Sequence, residues 1–199
     1  MKDAFTLREI SDLSAQPAPL SQSSLILVDC QNTYREGVME LDGVEPALDQ
    51  CRLLLTRARN LGIPIFHIQH DGGAGTPYDI REPIGAIADK VQPAEGEPVI
   101  VKSHPNAFFD TGLHDGLQAV NARNLVIVGF MTHMCISSTA RAAFDLGYAN
   151  TVVAAATATR ALPREGGAPL PADAVQAGNL AAIADLFTVV IPDQSAIGD

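Results

Sequence analysis

The chain has 199 residues and a formal charge of −10, with 18% charged residues and no Trp. That length suits a single domain with a substantial core, and the composition is globular rather than disordered. An acidic chain poor in aromatics offers no basic face to nucleic acid, and no apolar run approaches the roughly 20 residues of a bilayer-spanning helix, so neither a nucleic-acid nor a membrane partner is expected.

Residues 1–23 read as a polar, proline-containing arm without the charged and apolar regions of a signal peptide, free to lie over a neighbouring subunit. One domain over 24–199 follows. The run 24–29 (SLILVD) predicts a buried strand ending on an acid. Residues 44–61 predict a helix, with Leu48, Leu54, Leu55 and Ala58 at helical spacing and Gly62 as its stop. A second strand is expected over 63–68, a glycine-rich loop with a mobile rim over 71–83, and a short third strand over 98–101 that runs into Lys102. Then come a helix over 110–121, a strand over 125–129 and at once a helix over about 134–146. A strand over 151–155, a helix over 171–186 and a strand over 187–191 complete the chain. Strands that read as continuous apolar runs and alternate with helices predict an α/β fold: a three-layer α/β/α, doubly wound, Rossmann-like parallel sheet of six strands. Ligands of such sheets bind outside the carboxyl ends of the strands. This picks out Asp29, Lys102 and the turn from Gly129 to Cys135.

Cys135 sits where the fourth strand turns into its helix. The positive end of the helix dipole predicts a thiol pKa lowered from about 8.5 toward neutral, with backbone N–H groups ready to hold an oxyanion. The bland alternative is an inert buried thiol. Asp29 is a carboxylate at the end of an apolar run, either a proton acceptor or a cap. Lys102 is either a charge partner for both or a surface lysine on an edge strand. Cys30 follows Asp29 on a strand and points the other way, and Cys51 lies within a helix. An odd number of cysteines without CxxC spacing fits free thiols in a reducing cytoplasm rather than a disulfide framework. His67 and His70, three apart on a strand end, face opposite sides and form a poor metal clamp. No metal and no cofactor is expected.

Taken together, Leu27-Val28-Asp29-Cys30-Gln31-Asn32, Lys102 with Asn106-Ala107-Phe108, and Gly129-Phe130-Met131-Thr132-His133-Met134-Cys135 resemble the isochorismatase-like cysteine hydrolase superfamily, which includes nicotinamidases and carbamoyl-amide hydrolases. The match extends through Ser138-Thr139-Ala140 and 143–148, and the resemblance covers Leu25 to Ile191. It implies a catalytic Asp29–Lys102–Cys135 triad. It also implies a cis peptide between Phe130 and Met131 that aims the Met131 N–H, with that of Cys135, at the oxyanion. Gln31, Tyr34, His70, Phe108, Phe130, Thr132 and His133 are candidates for the wall of the substrate pocket. Two departures stand out: the nicotinamidase metal motif is absent around His67-Ile68-Gln69-His70, and the acid that many relatives place after the fifth strand is replaced by Ala155. The expected function is hydrolysis of a small amide or related C–N bond through a thioester, by a homodimer or homotetramer acting on a small molecule. The alternatives are isochorismatase-type vinyl-ether hydrolysis with Asp29 as acid, and a non-enzymatic scaffold or redox sensor with Cys30 resolving an oxidised Cys135.

Overall fold

The computed structural model describes residues 5–199. A short helix α1 (Leu7–Ile10) is capped by Thr6, whose side chain accepts from the Glu9 N–H while Glu9 returns a bond to the Thr6 N–H. This part of the arm docks on its own chain. The Leu7 and Arg8 N–H groups donate to Asp185, and the Arg8 guanidinium donates to the Leu186 carbonyl.

The sheet comprises β1 (Ser23–Val28), β2 (Ile65–His70), β3 (Val99–Lys102), β4 (Asn124–Phe130), β5 (Ala149–Ala158) and β6 (Val189–Ile191). Its order is β3-β2-β1-β4-β5-β6, and every pair is parallel. This is the doubly wound arrangement, with its switch point between β1 and β4. All six residues of β1 are buried, as a central parallel strand requires. Leu25 and Leu27 point into a core shared with α2 (Val44–Leu61), while Ile26 and Val28 point into a core shared with α3 (Leu113–Ala119), α4 (Ser137–Asp145) and Ile183 of α5 (Ala172–Ala184). The period-2 alternation of one strand thus feeds both outer layers.

Three expected boundaries differ in ways that bear on function. β2 starts and ends later than its apolar run suggests, so that His70 is its last residue. β5 continues to Ala158, so Ala155 lies within the strand and donates its N–H to the Pro192 carbonyl rather than following the strand. The helix expected directly after β4 is delayed. A π-helical turn (Thr132–Ile136) precedes α4, with the Ile136 N–H reaching back five residues to the Met131 carbonyl.

Candidate active site

Two backbone features bring the strand ends together. Gly129 has φ +113, and a Cβ there would lie 2.0 Å from the Val28 carbonyl oxygen, so only glycine lets β4 press against the end of β1. Asp29, the residue after β1, takes φ +49, a left-handed conformation that Asp tolerates better than most residues. Its N–H donates to the Ile68 carbonyl. The peptide between Phe130 and Met131 is cis.

Asp29, Lys102 and Cys135 meet at this point. Lys102 Nζ lies 2.7 Å from Asp29 Oδ2 and donates to Cys135 Sγ at 3.3 Å. Although β3 is the edge strand, Lys102 reaches across the end of β2, about 10 Å of sheet, and both side chains of the pair are fully buried. The alternative of a surface lysine is thereby excluded. Asp29 Oδ1 has no hydrogen-bond partner among the described residues. Burial pushes the Asp29 pKa up, against the opposing pull of Lys102 and of the Cys135 thiol.

The expectation of a thiol pKa lowered toward neutral is overturned. The Cys135 pKa is raised, first by burial and then by the Asp29 charge, with Lys102 opposing. Cys135 is buried within the π-helical turn rather than at the open end of a regular helix, and a carboxylate stands beside it.

A cavity of about 150 Å³ opens onto Cys135, lined by Tyr34, His70, Tyr78, Pro105, Met131 and Met134. Of the expected wall residues, Tyr34 and His70 are there. Gln31 is not. Its side chain is completely buried, donating to the His70 and Gly85 carbonyls at 3.0 and 2.7 Å and accepting from the His70 N–H at 2.8 Å. It is a clamp behind the wall. Phe130 is also fully buried, edge-on to Tyr34 at 5.7 Å. Thr132 donates to the Ala158 carbonyl, and Phe108 stacks on Tyr148 at 6.0 Å in the core below. His133 bonds Thr159 through Nδ1 at 2.5 Å, and its pKa is lowered by burial and then by the charge of Arg160.

Two residues that bear on the site escape the sequence reading. Tyr78 lies in the glycine-rich loop, edge-on to Tyr34 at 5.8 Å and to His70 at 4.9 Å. Its loop is held by internal hydrogen bonds. Asp79 accepts from the Gly75 and Arg81 N–H groups and from the Arg81 guanidinium, and Asp71 accepts from the Gly73 N–H. Gly85 closes the loop, and a Cβ there would lie 2.2 Å from the Asp79 carbonyl oxygen. Arg160, just past β5, has a buried Nε without a partner among the described residues, and its charge reaches both His133 and Tyr78. A lone tyrosine amid glycines and an arginine directly after a strand are the only local signals for these two.

The other titratable candidates separate. His67 turns to the opposite side from His70, bonding Glu97 Oε2 through Nε2 at 2.8 Å. Cys30 packs beside Cys51 in the α2-side core, whereas Cys135 belongs to the opposite core, so the sheet stands between Cys30 and Cys135. That removes the resolving thiol a redox sensor would need.

Fold and site together define a doubly wound α/β hydrolase with an acid, an ammonium and a thiol gathered at its switch point. The isochorismatase domain model matches residues 23–191, and the chain belongs to the isochorismatase family. It is similar to an isochorismatase from Pseudomonas putida KT2440, with a TM-score of 0.93 and 38% identity over 97% of this chain and 99% of that one. A secreted isochorismatase effector from Verticillium dahliae is 32% identical over 94% of this chain and 96% of its own. A ureidoacrylate amidohydrolase from Stutzerimonas stutzeri is 31% identical over 73% of this chain and 75% of its own.

Proposed function

We propose that this hydrolase cleaves a small amide or related C–N bond, with Cys135 as nucleophile, Asp29 as proton shuttle and Lys102 as electrostatic partner of both. One observation carries the reading: a buried ammonium that contacts a buried carboxylate and a thiol together, at the floor of a cavity onto which the thiol opens. Similarity to an amidohydrolase supports amides as the substrate class. Both shifted groups suit the chemistry. A carboxylate with a raised pKa is a stronger base, and a thiol with a raised pKa stays protonated until substrate arrives. Asp29 then takes the Cys135 proton as the sulfur bonds to the carbonyl carbon, and Lys102 balances the charge that moves from carboxylate to sulfur. The backbone N–H groups of Met131 and Cys135 are proposed to hold the oxyanion. Collapse breaks the C–N bond, and Asp29 returns the proton to the departing amine. Water, losing a proton to Asp29, cleaves the thioester, and that proton restores the thiol.

The cavity is small and its walls are largely uncharged, and the charge of Arg160 is felt by Tyr78 in its wall. A neutral or singly anionic substrate fits better than a dianion such as isochorismate. Three free thiols are in keeping with a reducing, cytoplasmic setting, which is part of the same proposal. Among the described residues no helix is long and apolar enough to cross a membrane.

The test is an amide-library screen that follows ammonia release, run on the wild type and on Cys135→Ala and Asp29→Asn. Both variants should lose turnover, by about 10⁴-fold or more as for deletion of other catalytic nucleophiles and bases, while still binding a substrate analogue. Retained amide hydrolysis in Cys135→Ala would defeat the mechanism. Vinyl-ether hydrolysis that needs Asp29 and not Cys135 would establish the isochorismatase alternative instead.

A further inference from the structure

The Lys102 ammonium has three N–H donors and three acceptors: Asp29 Oδ2 at 2.7 Å, Cys135 Sγ at 3.3 Å and His70 Nδ1 at 3.1 Å. The mechanism above uses the first two. The third is a consequence of register, because His70 and Lys102 are direct neighbours on β2 and β3. We infer that His70 is a positioning residue for Lys102 and, through the same bond, is held as the neutral Nε2–H tautomer, which presents one N–H donor to an acceptor on the substrate. This rests on the amide-hydrolase reading for its substrate half and deepens it, since it adds a hydrogen-bond acceptor to what the substrate must carry.

An ammonium has no lone pair, so the nitrogen facing it must accept, and the ring proton goes to the other nitrogen. Nε2 has no partner among the described residues, and His70 lines the cavity beside Cys135. The residue is held by its neighbours away from the cavity. Gln31 brackets its backbone through two hydrogen bonds, and Tyr78 stands edge-on against it. The charged and titratable groups acting on it are Lys102, Asp71 and His104. Burial and then Lys102 bring its pKa down to about 4, with Asp71 opposing. The imidazole therefore stays neutral across the working range. A protonated ring would turn a second donor onto the ammonium and release Lys102 from one of its three bonds.

Two isosteric substitutions separate the two nitrogens, because an Asn amide oxygen falls near the place of Nδ1 and a Gln amide nitrogen near that of Nε2. His70→Asn should keep kcat within about 3-fold and raise KM about 10-fold, the loss of one hydrogen bond to substrate. His70→Gln should do the reverse, lowering kcat about 10-fold with KM nearly unchanged. An unchanged KM in His70→Asn, or an unchanged kcat in His70→Gln, overturns the inference. The tautomer is read independently of any substrate from the ring ¹⁵N shifts of His70, assigned as the resonances absent from His70→Asn. An Nε2–H tautomer throughout pH 5.5–8 is expected. An Nδ1–H tautomer, or an imidazolium titrating near the free value of about 6.5, overturns it. If the wild type hydrolyses no amide, the function proposed above fails, and the tautomer still decides the role of His70.

Discussion

A buried charge is tolerable only with its partner, and at the scale of single residues Lys102 and Asp29 are each other's condition. Replacing Lys102 by Met leaves the Asp29 carboxylate uncompensated in a fully buried site. The expected cost is about 3–5 kcal/mol, read by urea unfolding at pH 7. The double variant Lys102→Met/Asp29→Asn should recover most of that stability while remaining inactive, since no charge is left buried and the proposed proton shuttle is gone. A double variant as unstable as the single one would show that Lys102 stabilises by packing rather than by charge. The same reasoning resets the expectation for Cys135. A thiol with a raised pKa should react with iodoacetamide at a rate that climbs steadily into alkaline pH instead of levelling near neutrality. It should nevertheless be modified before Cys30 and Cys51, which are buried in the core, because Cys135 opens onto a cavity.

Between elements, the first layer of helices is tied to the sheet by an ion cluster distant from the active site. Arg59 of α2 donates to Glu97 at 2.8 and 2.9 Å, and Glu97 in turn bonds His67 of β2. These partners hold the Glu97 carboxyl down to about 2, Arg59 contributing most. A carboxylate whose folded pKa is depressed contributes stability that is present above its unfolded value near 4.5 and is lost as the pH falls toward 2. Glu97→Gln should therefore cost about 1–2 kcal/mol at pH 7, and the difference from wild type should shrink below pH 4.5 and vanish near pH 2. Urea titrations at pH 7, 4 and 3 check this, and a difference independent of pH would refute it. At the junction of β1 and β4 the constraint is steric. Gly129→Ala must move a Cβ away from the Val28 carbonyl and give up a positive φ, so it should lower stability by at least about 2 kcal/mol and abolish turnover together.

For the molecule as a whole, both histidines of β2 are already committed, His67 to Glu97 and His70 to Lys102. The clamp that a metal would require at the end of this strand is therefore drawn to two different faces. Dialysis against a strong chelator should leave turnover and thermal stability unchanged. Activity lost on chelation and restored by zinc, manganese or iron would defeat this prediction and revive a nicotinamidase-like site.

Much of this protein is determined by sequence alone because it depends on local patterning. Apolar runs alternating with amphipathic ones specify a parallel sheet covered on both faces, and charged residues placed where such runs end lie at the strand tips by geometry. Asp29 and Lys102 are legible for that reason, Cys135 from the turn that follows the fourth strand, and the motifs around the three carry the family resemblance. What tertiary structure alone decides is whatever crosses the sheet or closes a loop. The register of β2 on β3 sets His70 beside Lys102. The fold of the glycine-rich loop brings Tyr78 to the cavity, and the true length of β5 leaves Ala155 inside the strand. Gln31 and Phe130, close in sequence to the site, are drawn behind it by backbone groups and a core with which they share no local signal. The direction of the Cys135 pKa belongs with these. A helix dipole is visible in the sequence, but desolvation is set by everything that packs around the sulfur, and burial is the first cause of the raised value here.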